Sequence, residues 1–162
     1  MEFRGLNELI AHTVKVAALC DEAVHEGLEG VTSKLLSDTR ATFGHYQEGA
    51  GPFGAWPELA ERTKADRVAL GFSENDPLMR SGELRDSYYK LVQGMEGGVG
   101  SDLGKALGME IGDPIKNIPA RSTIGLTFAR TEKRLFEELG LPVDALLIQG
   151  AVRKMFSSIN RR

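Results

Sequence analysis

The stretch Leu84-Arg85-Asp86-Ser87-Tyr88-Tyr89-Lys90-Leu91-Val92, continued by Gln93-Gly94-Met95-Glu96-Gly97-Gly98 and Val99-Gly100-Ser101, decides the fold class. Tyr88, Tyr89 and Val92 favour β structure, which predicts a strand from Leu84 to Val92. The glycine-rich run from Gln93 to Gly98 reads as a hairpin connection, with Val99-Gly100-Ser101 as the returning strand. Around this hairpin the chain has the period of helices. The reading is therefore α+β: a long N-terminal helix, a small antiparallel sheet flanked by helices, and C-terminal helices.

Working outward, Leu6, Ile10, Val14, Ala17, Val24, Leu28, Val31 and Leu35 fall mostly three or four residues apart, with Cys20 in the one wide gap. This spacing predicts a helix to about Phe43. From Ile10 the step is near 3.5 residues, so the helix carries a coiled-coil-like seam. At 1.5 Å per residue it spans roughly 50 Å, more than a small domain needs. An identical neighbour is the expected cover, which makes Val24 and Leu28 candidate self-contacts. Gly27 and Gly30 each cost up to ~1 kcal/mol relative to Ala, and a bend or close helix contact is expected there.

Gly44 to Pro57 has no helical or strand period and holds the aromatics Tyr46, Phe53 and Trp56. A loop of this length is usually functional. Either Tyr46 and Phe53 dock a partner, with Trp56 anchored in the core, or the aromatics fold back on the domain. Pro57 to Leu70 is predicted helical, with Pro57 in the first turn. Gly104 to Gly112 is predicted as a short helix closed by its glycine, and Asp113 to Pro119 as extended. Ser122 or Thr123 caps a helix running to about Leu139, and a final helix is expected from Val143 to Ile159. The whole chain is read as one domain: 1–43 long helix, 44–57 loop, 58–121 helix plus hairpin core, 122–162 C-terminal helices.

With 162 residues the chain can bury a sizeable core. Its formal net charge of −3 argues against a dedicated nucleic-acid binder, which would present a basic surface. Arg153, Lys154, Arg161 and Arg162 suit a helix C-terminus. The lone Cys20 excludes an internal disulfide, in keeping with folding in a reducing compartment. No signal-peptide pattern follows Met1, and no apolar run approaches the ~20 residues of a membrane span. A soluble protein made in the cytoplasm is expected.

Catalytic motifs fail one by one. In Gly97–Ala106 the first glycine of a phosphate loop would fall on Val99, and Ala106 stands where a magnesium-binding hydroxyl belongs. Leu103 occupies the third glycine position of a dinucleotide fingerprint. His12, His25 and His45 lie too far apart for a zinc pattern, and no Gly-x-Ser-x-Gly elbow occurs. Glu83, Asp86, Glu110 and Asp113 show no spacing that singles out an acid/base pair. No metal or cofactor is expected. In Pro119-Ala120-Arg121 the proline fixes φ and aims Arg121 just before a helix. Its forked head clamps a neighbouring subunit, or Arg121 is an ordinary surface arginine or pairs inside the chain with Glu110 or Asp113.

One ordered set of short motifs remains. Trp56-Pro57-Glu58-Leu59 is followed by Thr63-Lys64, then Leu78-Met79-Arg80-Ser81-Gly82-Glu83-Leu84-Arg85-Asp86-Ser87, Val99-Gly100-Ser101, Ala106 with Glu110 and Gly112, and Pro119-Ala120-Arg121. This order resembles the tailed-phage virion morphogenesis proteins, which complete the tail and join it to the head. The resemblance covers roughly Trp56 to Arg134. It implies a noncatalytic virion component of the neck, in a homo-oligomeric ring of six or twelve subunits around the DNA channel. Its implied partners are connector or adaptor, tail terminator and tail tube proteins, with DNA only as passing cargo and no membrane. The rival reading is a small cytoplasmic ligand-binding or enzymatic domain using the Gly94–Gly104 loop.

Overall fold

A computed structural model describes residues 6–138. The expected final helix, Val143–Ile159, lies outside the described residues. Helix α1 runs from Leu6 to Ala41, followed by α2 (Glu61–Ala69), α3 (Glu83–Asp86), the strands β1 (Tyr88–Gln93) and β2 (Glu96–Ser101), α4 (Gly104–Ile111) and α5 (Ile124–Glu138). The α+β expectation holds, with the sheet a two-stranded antiparallel hairpin.

Helix α1 continues unbroken through Gly27 and Gly30. A Cβ on Gly30 would meet nothing within 4 Å, so no element packs closely there. Its C-terminal half is the backbone of the domain, with the hairpin and α5 packed along it. The closest approach is at Gly97, where a Cβ would lie 2.8 Å from Thr32 Cγ2 and 3.4 Å from Leu28 Cδ2. A side chain at 97 would push β2 off the helix.

The hairpin differs from its expected limits at both ends. Leu84 starts no strand, because Asp86 N donates to Gly82 O and Ser87 N to Glu83 O, closing a helical turn. Gly82 permits this with φ +82°. The turn buries Leu84 and Tyr88, four residues apart, on one side. Strand β1 therefore begins at Tyr88 and pairs Tyr88 with Ser101 through Gln93 with Glu96. Strand β2 begins at Glu96 rather than Val99, since only Gly94 and Met95 are needed for the turn. Gly94, at φ +58°, supplies the positive φ that such a two-residue loop requires.

Helix α2 also starts later than expected, at Glu61 instead of Pro57. The carbonyls of Pro57 and Glu58 accept hydrogen bonds from Arg121, so they are not used to open a helix. Helix α4 matches its expected limits and stops at Gly112, φ +80°. There a Cβ would sit 2.9 Å from Ala120 N. The core groups Phe43, Leu84, Tyr88 and Ala106, with Leu36, Met79, Val99 and Ile124 packed around it. The Phe43 and Tyr88 rings meet edge to face at 5.6 Å, a favoured aromatic geometry.

Candidate functional site

The first turn of α5 is where distant parts of the chain meet. Its unpaired N–H groups need acceptors, and the Glu110 carboxylate, from the last turn of α4, supplies them. Oε2 accepts from Thr123 N at 2.7 Å and Thr123 Oγ1 at 3.0 Å, and Oε1 accepts from Gly125 N at 2.8 Å and Ser122 Oγ at 2.5 Å. A carboxylate in this place also favours the positive end of the helix dipole. Ser122 Oγ completes the cap by accepting from Leu126 N at 3.2 Å. The expected cap by Ser122 or Thr123 is thus joined by a residue from another helix.

Three further side chains lock the same turn. Trp56 Nε1 donates to Ser122 O at 3.0 Å. The Tyr88 hydroxyl lies 2.9 Å from Thr123 Oγ1, and burial pushes that phenol above its usual range. Arg121 is 5% exposed. Its Nη2 donates to Pro57 O at 2.8 Å and Glu58 O at 3.1 Å, and its backbone N donates to Met109 O at 2.7 Å. Burial without a carboxylate partner lowers its guanidinium from the ordinary value.

This corrects the subunit-clamp expectation for Arg121. The residue faces inward, and it pairs with neither Glu110 nor Asp113 but with two backbone carbonyls. Pro119 and Ala120 are exposed and carry the chain into that position. The other motif residues fall into the same scaffold. Trp56, Leu84 and Ala106 are buried, Gly112 allows the close pass of Ala120, and Ser81 Oγ accepts from Glu83 N at 3.4 Å. Arg85 pairs with the adjacent Asp86 at 2.7 Å. Gly100 faces open space.

The contact candidates outside the motifs make contacts within the chain, although Tyr46 stays exposed. The Tyr46 hydroxyl donates to Asn75 Oδ1 at 2.6 Å and accepts from Leu59 N at 3.0 Å. Phe53 is half-buried on α5, where the missing side chain of Gly125 leaves room for its ring. Ala50 and Phe53 exchange two backbone bonds, Trp56 N donates to Gln47 O, and Arg130 reaches Gln47 Oε1 at 2.7 Å and Glu48 O. The loop from Gly44 to Pro57 folds back on the domain, the second of its two readings. Leu28 packs on Gly97, so it is engaged within the chain rather than free for a neighbour; Val24 is half-buried.

Most of the Gly94–Gly104 segment is strand. Its glycines 97, 98 and 100 lie in β2, with extended backbone. No cluster of three or more His, Cys, Asp or Glu that could hold a metal occurs among the described residues, and no described helix is long and apolar enough to cross a membrane.

What the sequence reasoning missed lies outside. Leu107 and Ile111 on α4 are 64% and 67% exposed, and Ile115 on the following loop is 96% exposed. Their spacing of four is the signal that was available, since α4 is apolar on both faces while only Ala106 is buried. The loop is tied to itself: Asp113 and Ile118 exchange two backbone bonds, and Asp113 Oδ1 accepts from Ile115 N and Lys116 N. Grooves of about 530 and 510 Å³ flank it. No family model, curated protein or solved structure matches the chain.

Proposed function

We propose that the chain is a structural virion protein of a tailed bacteriophage or prophage. It acts as a tail completion or neck component in a ring at the head–tail junction around the DNA channel. One observation carries this reading. Trp56, Leu84, Ala106, Glu110, Gly112 and Arg121 are drawn from an ordered pattern that runs from residue 56 to residue 121, and they meet in one bonded and packed unit. Glu110 accepts from Gly125 N, Trp56 donates to Ser122 O in the same turn, and Arg121 donates to Glu58 O, two residues past Trp56. A pattern that is a fold signature is expected to behave so, and a scaffold protein needs no more from it. The net charge of −3 suits a channel that lets DNA pass, because phosphate binding is built from basic contacts.

The test is genetic. Inactivating the gene in the phage or prophage that encodes it is expected to leave filled heads and separate tails by electron microscopy, with joining restored by the gene in trans. Normal joined particles from the null strain would overturn the reading.

A further inference from the structure

The loop 113–118 is a ridge between two grooves, for Pro114 and Ile118 line the hollows on both its sides. Its crest is Ile115, at 96% the most exposed large apolar residue among those described. Beside it stands Lys116, whose side chain is 73% exposed and paired with Asp113 at 3.1 Å. The larger groove has an apolar floor that includes Leu59, Leu78, Met109 and Ile118. At its rim is Glu58, 81% exposed and only loosely paired with Lys64 at 3.8 Å. An apolar crest with a cation beside it thus lies next to an apolar trough with an anion on its edge.

We infer that the occupant of this groove is the ridge of a second copy of the chain. Ridge and groove belong to one patch, so a two-fold axis places each Ile115 in the other subunit's groove and each Lys116 against the other's Glu58. Such isologous contacts are self-complementary and close at two subunits. The bonds that Asp113 makes within the loop favour this, because a loop already held in place loses less ordering entropy when it docks. Contiguous exposed apolar groups of this kind mark association surfaces in soluble proteins. A head-to-tail ring has no such two-fold axis, so the pairing belongs to the free chain before ring assembly and stands apart from where the protein resides.

The test is sedimentation of the isolated full-length chain over a wide concentration range. The parent is expected to reach twice the chain's mass. Ile115→Lys should weaken pairing about 100- to 10,000-fold, as expected when two-fold symmetry removes two buried apolar side chains per dimer, with an unchanged melting temperature for the dilute, unpaired chain because Ile115 is 96% exposed there. Glu58→Lys and Lys116→Glu should each weaken it about two- to thirty-fold, since two exposed ion pairs are lost per dimer. Combining both should restore it. A parent that stays monomeric throughout, or an Ile115→Lys chain that associates like the parent, overturns the inference. Loss on Ile115→Lys without rescue by the double swap also overturns it, since the crest would then dock elsewhere.

Discussion

The connection between α4 and α5 contains two opposite environments a few residues apart. At Glu110 and from Arg121 to Gly125, polar and charged groups are drawn inward, and each finds partners: carboxylate on backbone N–H, guanidinium on backbone carbonyls, hydroxyl on hydroxyl. At Ile115, an apolar side chain stands in solvent on a loop tied down by its own Asp113. Burying polar groups is tolerable only when their hydrogen bonds are met. Leaving Ile115 exposed forgoes the stabilisation its burial would bring. The first region is built to hold the fold, and the second is available to something else. The residues that carry a recognisable pattern belong to the first.

The contrast breaks most easily at Glu110. Glu110→Ala leaves Thr123 N, Gly125 N and Ser122 Oγ without their acceptor. The expected loss is about 3 kcal/mol, from a lost cap and unmet donors together, read by urea denaturation. A loss below about 1 kcal/mol would mean that water replaces the carboxylate and that this turn is not the clasp described. Arg121→Lys keeps the charge but loses the two-carbonyl fork, with about 2 kcal/mol of destabilisation expected by the same measurement. Unchanged stability with impaired assembly would return Arg121 to the surface role that its burial argues against.

Tyr88 sharpens the contrast through pH. Its folded-state pKa is raised by burial, so the folded chain keeps a proton that the unfolded chain releases near pH ~10. Stability is then full below that pH and falls as pH rises through the higher folded value. Tyr88→Phe should remove this alkaline decline and, by deleting the bond to Thr123, cost about 1 kcal/mol at neutral pH. An alkaline denaturation profile identical in parent and variant would place the titrating group elsewhere. The smallest effect belongs to Ile115→Lys, with a stability change under about 0.5 kcal/mol in the dilute, unpaired chain. A larger loss would show that the ridge belongs to the core.

These two environments were unequally legible in the sequence. The hairpin, α4 and the start of α5 rest on local chemistry: Gly94 at a turn, Gly112 past a helix end, Ser122 before one. Such residues act on their own neighbours, so the linear pattern shows them. The strand start at Leu84 was misread because the turn closed by Gly82 and Asp86 buries residues four apart, a helical step hidden in a β-rich run. The start of α2 and the direction of Arg121 depend on one another across more than sixty residues, and no local signal reports such a pairing. The same is true of the loop aromatics. Tyr46 and Phe53 are partnered by Asn75 and Gly125, positions that the sequence gives no reason to bring together. Exposure at Ile115 is likewise a property of the folded surface and not of its neighbours in the chain.

The central claim, a structural place in the neck of a tailed particle, is met most directly by quantitative mass spectrometry of purified virions. The account expects the protein in the particles at a fixed ring number, six or twelve copies against the major capsid protein, and retained in tails or necks after heads are disrupted. Its absence from purified virions while it is abundant in the infected-cell lysate would contradict the account.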